Sequence, residues 1–134
     1  MNQEDKNRAV SLGVQEAVRS GHTERASELL APDFKGYLSG NPLARDEWLG
    51  MAKMMMGTFP DGRHEWSMVE AVGDYVILCG FFTGTHRGDF QGIPATGKRV
   101  RFSLTLIDKV KDGKLVEHRG EFDTQSLMRQ LSES

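Results

Sequence analysis

Two hydrophobic periods divide the chain near Pro60. Before it, apolar residues recur at helical spacing: Val10, Val14, Ala17 and Val18 fall at i, i+4, i+7 and i+8, behind a solvated start of Glu4, Asp5, Lys6 and Arg8. Gly21 stops this first helix. A second, short helix is predicted from Thr23 to about Leu30, closed by Pro32, which disfavours helical backbone in the residue before it. Phe34, Tyr37 and Leu38 suggest a short extended segment, and Ser39-Gly40-Asn41-Pro42 is a turn signal. Behind it a third helix carries Trp48, Met51, Ala52, Met55 and Phe59 on one face.

Beyond Pro60 the period becomes two. His64 to Val72 and Tyr75 to His86 read as strands joined by Gly73-Asp74, and Arg99 to Val110 and Lys114 to Phe122 as two more joined by Asp112-Gly113. Both residues of that last turn tolerate positive φ, as a type I′ hairpin requires. Arg99, Arg101, Ser103 and Thr105 alternate with Val100, Phe102, Leu104 and Leu106, so this strand has one apolar face. The loop from Arg87 to Lys98 is rich in Gly and Pro yet holds Phe90 and Ile93, which need something to cover. A terminal helix starts at Asp123 or Thr124 and runs through Leu127, Met128 and Leu131. Helices followed by a meander of strands predict an α+β domain over residues 1–134, with the helices covering one face of a curved antiparallel sheet that can bend around a cavity.

The chain has 134 residues, with 17 Lys and Arg against 19 Asp and Glu, a net charge of −2. Its charges are interspersed in sign, so the basic footprint of a nucleic-acid binder is missing. No apolar run approaches the ~18–20 residues that span a bilayer, and the first residues do not read as a signal peptide, so the expectation is a cytoplasmic protein with no membrane partner. The single Cys79 sits in an apolar run and reads as a packing residue.

The residues that could carry chemistry are few. Asp123 ends the last strand. In an apolar pocket it could take and return a proton, but before Thr-Gln-Ser-Leu it is equally suited to cap a helix, and residue type alone favours the cap. On that strand Glu117, Arg119, Glu121 and Asp123 share one face and His118, Gly120 and Phe122 the other; which face points inward is left open, since a bulge would swap them. Arg119 could orient a substrate or pair with a neighbouring acid. His86 and His118 could orient a carboxylate or a substrate oxygen, or be hydrogen-bonded strand-end residues; His64 and His22 read as the latter. Four scattered histidines without short Cys/His spacing predict no metal site. The Met cluster around Met51 and Met55, with Trp48, Phe59 and Trp66, reads as core or as the lining of a pocket for a flat ligand.

Four strings resemble the SnoaL-like polyketide cyclases of the nuclear transport factor 2-like superfamily: residues 26–34, 58–61, 84–98 and 111–123, the last reading Lys-Asp-Gly-Lys-Leu-Val-Glu-His-Arg-Gly-Glu-Phe-Asp. The resemblance implies a cone-shaped fold, a curved antiparallel sheet wrapped on N-terminal helices around an apolar pocket, and a homodimer formed through the sheet's outer face. It implies acid/base ring closure of an aromatic polyketide without metal or other cofactor, with Asp123 on the matching acid/base position. Two positions depart from the family pattern: Arg119 stands where relatives often have Trp, and Leu104-Thr105-Leu106 where the strand often carries a polar residue such as His.

The expected function is therefore that of a cofactor-independent cyclase or isomerase acting on a small hydrophobic or polycyclic molecule. Asp123, His118 and His86 would be catalytic, and Trp48, Met51, Met55, Phe59, Trp66 and Arg119 would bind substrate. The alternatives are a noncatalytic ligand-binding module, and an epoxide hydrolase or hydratase in which Arg119 between Glu121 and Asp123 activates water.

Overall fold

A computed structural model describes residues 2–38 and 40–133, so Ser39 of the predicted turn lies outside the described residues. Helix α1 spans Gln3–Arg19, opened by a capping box between Asn2 and Asp5. Its Asn7, Ser11, Val14 and Ala17 are buried, a stripe at three- and four-residue spacing. Helix α2 covers Thr23–Glu28 and α3 covers Arg45–Thr58. The strands are β1 Leu30–Leu38, β2 Asn41–Ala44, β3 Arg63–Val72, β4 Tyr75–Thr85, β5 Arg99–Lys111 and β6 Lys114–Phe122, and α4 closes the chain at Thr124–Ser132.

One sheet carries all six strands in the order β2-β1-β6-β5-β4-β3. It is mixed rather than antiparallel throughout, because β1 runs parallel to β6, with Gly36 beside His118 and Leu38 beside Gly120. The second helix also stops earlier than predicted: Leu30 already lies in β1, where Pro32 sits in a register shift between Leu30 and Lys35. A residue without an N–H is tolerated at such an irregularity. The turn-like Asn41-Pro42 forms the short edge strand β2, a place where Pro also blunts further pairing. Asp112 and Gly113 take φ of 51° and 76°, as the hairpin between β5 and β6 requires.

The sheet curls so that α1 touches β3, β4, β5 and β6, while α3 lies against β1, β2 and α1. Val100, Phe102, Leu104, Leu106 and Val110 of β5 and Val76, Leu78 and Phe82 of β4 point into this concave side. Phe59, just past α3 and fully buried, is the hub of the core: its ring lies 5.7–6.4 Å from those of Phe82, His86, Phe90 and Phe102. Loop 87–98 is stitched to the end of α3, where the Thr58 carbonyl accepts from the Arg87 and Gly88 amides and the Thr58 hydroxyl donates to the Asp89 carbonyl.

Candidate functional site

The inner face of β6 presents His118 directly opposite Asp108 of β5. His118 Nδ1 and Asp108 Oδ1 are 2.6 Å apart, with only 7% of the His118 side chain and none of the Asp108 side chain exposed. An ionised carboxylate only accepts, so beside one Nδ1 is the donor, and in the neutral ring Nε2 then presents its lone pair. Nε2 makes no hydrogen bond among the described residues. It lies 3.2 Å from where a Cβ on Gly120 would be, so any side chain at that position would crowd it. The second oxygen, Asp108 Oδ2, is buried without a partner. Trp48 packs edge-on against the imidazole at 4.9 Å and against Phe34 at 5.4 Å. The close approach of Trp48 to β1 requires Gly36, where a Cβ would fall 2.6 Å from the indole. A histidine held by a buried acid under an aromatic cover has the parts of a general acid/base.

The other predicted chemical residues lie elsewhere. Asp123 is exposed and serves as the N-cap of α4, its carboxylate accepting from the Ser126 amide at 2.9 Å. The strand has already left the interior there, and the free N–H groups of the helix claim the carboxylate. Arg119 is exposed on the outer face of the sheet, ion-paired with Glu117 at 3.1 Å and lying over the Tyr37 ring at 4.2 Å. With Glu121 also exposed on that face, the Arg-between-acids arrangement of an epoxide hydrolase does not form.

His86 is fully buried but far from His118. Val76 pairs with Asp108, and His86 lies ten residues beyond Val76, roughly 30 Å along an extended strand. Its Nδ1 accepts from the Thr96 amide at 3.2 Å and lies 2.9 Å from the Thr96 hydroxyl, so it staples loop 87–98. Of the residues expected to bind substrate, Trp48 covers His118, Phe59 is filled in by its neighbours, and Met51 and Met55 are half-buried against the core. Trp66 lies apart, on edge strand β3, stacked on His64 at 4.7 Å with the rings 6° from parallel.

The family model of SnoaL-like polyketide cyclases matches residues 8–131. The chain belongs to that family. Among curated SnoaL-like relatives, aklanonic acid methyl ester cyclase DauD of Streptomyces sp. (strain C5) is 28% identical over 123 residues, covering 88% of this chain and 76% of the relative. Nogalonic acid methyl ester cyclase of Streptomyces nogalater is 28% identical over 125 residues, covering 87% and 90%. The crystal structure of IdmH from Streptomyces antibioticus superimposes with a TM-score of 0.85 at 30% identity, over 98% of this chain and all of that one, 100%. The inward Leu104 and Leu106 are apolar, and Asp108, two residues on, brings the acid to the inner face.

Proposed function

We propose that the protein catalyses an acid/base ring closure of a polycarbonyl precursor, with His118 moving the proton and Asp108 holding the imidazole. The buried His118–Asp108 pair carries this reading. Nε2 takes a proton from a carbon flanked by two carbonyls, the resulting enolate forms a C–C bond to a further carbonyl carbon, and the imidazolium returns the proton to the alkoxide. The reaction is an isomerisation, balanced without an external donor. Asp108 stabilises the imidazolium between the two transfers, and Trp48 keeps water from the enolate. The relatives' chemistry supports this substrate class, a flat polyketide ester. Trp48 packs on the imidazole and would cover one side of such a ring system, with Met51 and Met55 following it along α3 at three- and four-residue spacing.

The proposed working form is a homodimer in the cytoplasm. The outer sheet face supports the dimer, since Met68, Val72, Tyr75 and Ile107 expose 40, 65, 45 and 38% of their surface there. The half-buried Cys79 thiol suits a reducing compartment. No helix among the described residues is long and apolar enough to cross a membrane.

The test is to incubate the protein with aklanonic acid methyl ester and with nogalonic acid methyl ester and follow products by liquid chromatography and mass spectrometry. A ring-closed product of unchanged mass is expected with either or both, and His118→Gln abolishes it. Closure of neither, or closure that His118→Gln leaves intact, overturns the reading.

A further inference from the structure

A cleft of about 240 Å³ opens between α1 and edge strand β3, remote from His118. His64 pairs with Phe82 and Phe82 with Phe102, and Phe102 lies six residues before Asp108, about 20 Å along β5. One wall of the cleft is a helical stripe, Leu12, Gln15, Glu16 and Arg19, spaced by three and four. The other is Arg63 with the His64–Trp66 stack. The two charges on the stripe cancel, because Arg19 Nε donates to Glu16 at 2.8 Å. Two neutral polar groups remain without a protein partner among the described residues: the Gln15 amide and the half-buried His64 ring, whose nitrogens make no hydrogen bond. A half-desolvated donor and acceptor beside an aromatic wall is the complement of a planar ring bearing a hydroxyl or carbonyl group. The volume, below the ~300–1,000 Å³ of drug-sized sites, suits one or two fused rings.

We propose that the α1–β3 cleft is a second binding site, for a small aromatic carrying a hydroxyl or carbonyl, which stacks on the Trp66–His64 wall and hydrogen-bonds to His64 and Gln15. It stands independently of the ring-closure chemistry assigned to His118.

The probe is 2-naphthol at pH 7, added to the intact protein while NMR follows the Trp66 and Trp48 indole N–H and the His64 and His118 imidazole signals. Saturable shifts at Trp66 and His64, with Trp48 and His118 unmoved, are expected. His64→Phe keeps a ring on Trp66 and removes the polar edge, so it weakens 2-naphthol roughly tenfold while leaving 2-methylnaphthalene unchanged. Gln15→Ala, at a half-buried position of α1, gives a smaller loss in the same direction and stands in for His64→Phe should that variant not fold. The proposal is overturned by an absence of saturable shifts, by shifts at Trp48 and His118 instead, or by equal affinity of the native protein for 2-naphthol and 2-methylnaphthalene. Unchanged 2-naphthol affinity in the folded variants overturns it as well.

Discussion

Asp108 stands opposite His118 because β6 carries one extra residue near its start. Val110 pairs with Leu115, but Lys109 pairs with Glu117, and the register step between them skips Val116. In an unbroken ladder Asp108 would face Glu117. The bulge turns Leu115 and His118 to the same inner side despite their odd spacing, and re-aiming a side chain in this way is a recurrent use of bulges.

The pair carries both chemistry and stability, and two substitutions separate them. Asp108→Asn preserves shape and an acceptor for Nδ1 but cannot stabilise the imidazolium, so turnover falls about 10²-fold or more while the circular dichroism spectrum is unchanged. Asp108→Ala leaves the buried His118 Nδ1–H without its acceptor and lowers unfolding free energy by about 1–3 kcal/mol in urea titration.

Asp123 behaves as a cap. Asp123→Ala costs about 1 kcal/mol of stability through loss of the bond to the Ser126 amide, and Asp123→Asn, still a good cap, costs a few tenths at most. Neither changes turnover. A loss of activity in Asp123→Asn at unaltered stability would return the acid/base role to this residue.

His64 makes the fold sensitive to mild acid. Burial, with a smaller contribution from Arg19, lowers its pKa from 6.5 to about 4, partly opposed by Glu16. The unfolded chain therefore binds a proton that the folded chain refuses between these values. Stability attributable to His64 is complete above pH ~6.5 and is lost as pH falls toward ~4, at up to about 1.4 kcal/mol per pH unit. Urea midpoints from pH 7 to 4 measure it. His64→Phe should flatten the part of the decline that belongs to this residue, and an unchanged slope would count against the assignment.

Gly36 sets the position of the cover over His118. A methyl group there would meet the Trp48 indole at 2.6 Å, inside van der Waals contact, so Gly36→Ala displaces Trp48. The expected cost is about 1–3 kcal/mol, with Trp48 fluorescence moving to the red as water reaches the ring. Gly40→Ala, where nothing lies within 4 Å of a Cβ, controls for the loss of glycine itself but carries the strain of a φ of +85°.

Much of the sheet was legible in the chain. The alternation from Val100 to Leu106 and the Asp112-Gly113 turn fix the β5–β6 hairpin, and β6 spans Lys114–Phe122 as the pattern predicts. What local pattern cannot carry is a pairing between distant segments, and so the parallel β1–β6 contact was not foreseen. The acid of the site had a visible signal that went unread: continuing the alternation two residues past Leu106 puts Asp108 in phase with the apolar positions, an anomaly for a charged residue. Its partner was hidden by the bulge, which no period-two reading reveals. Asp123 drew attention through family resemblance, whereas its own surroundings favour the helix terminus.

The β1–β6 pairing also constrains how the protein is made. Gly36 pairs with His118, 82 positions later in a chain of 134. During synthesis the β1–β2 pair emerges early, and the other edge of β1 waits for the penultimate element, β6, several seconds at about 5–20 residues per second. Through that interval this unpaired edge is open to other nascent chains, and loop closure over so long a span is slow. Expression yield should therefore respond to chaperone supply and translation speed more than to the thermodynamic stability of the finished fold.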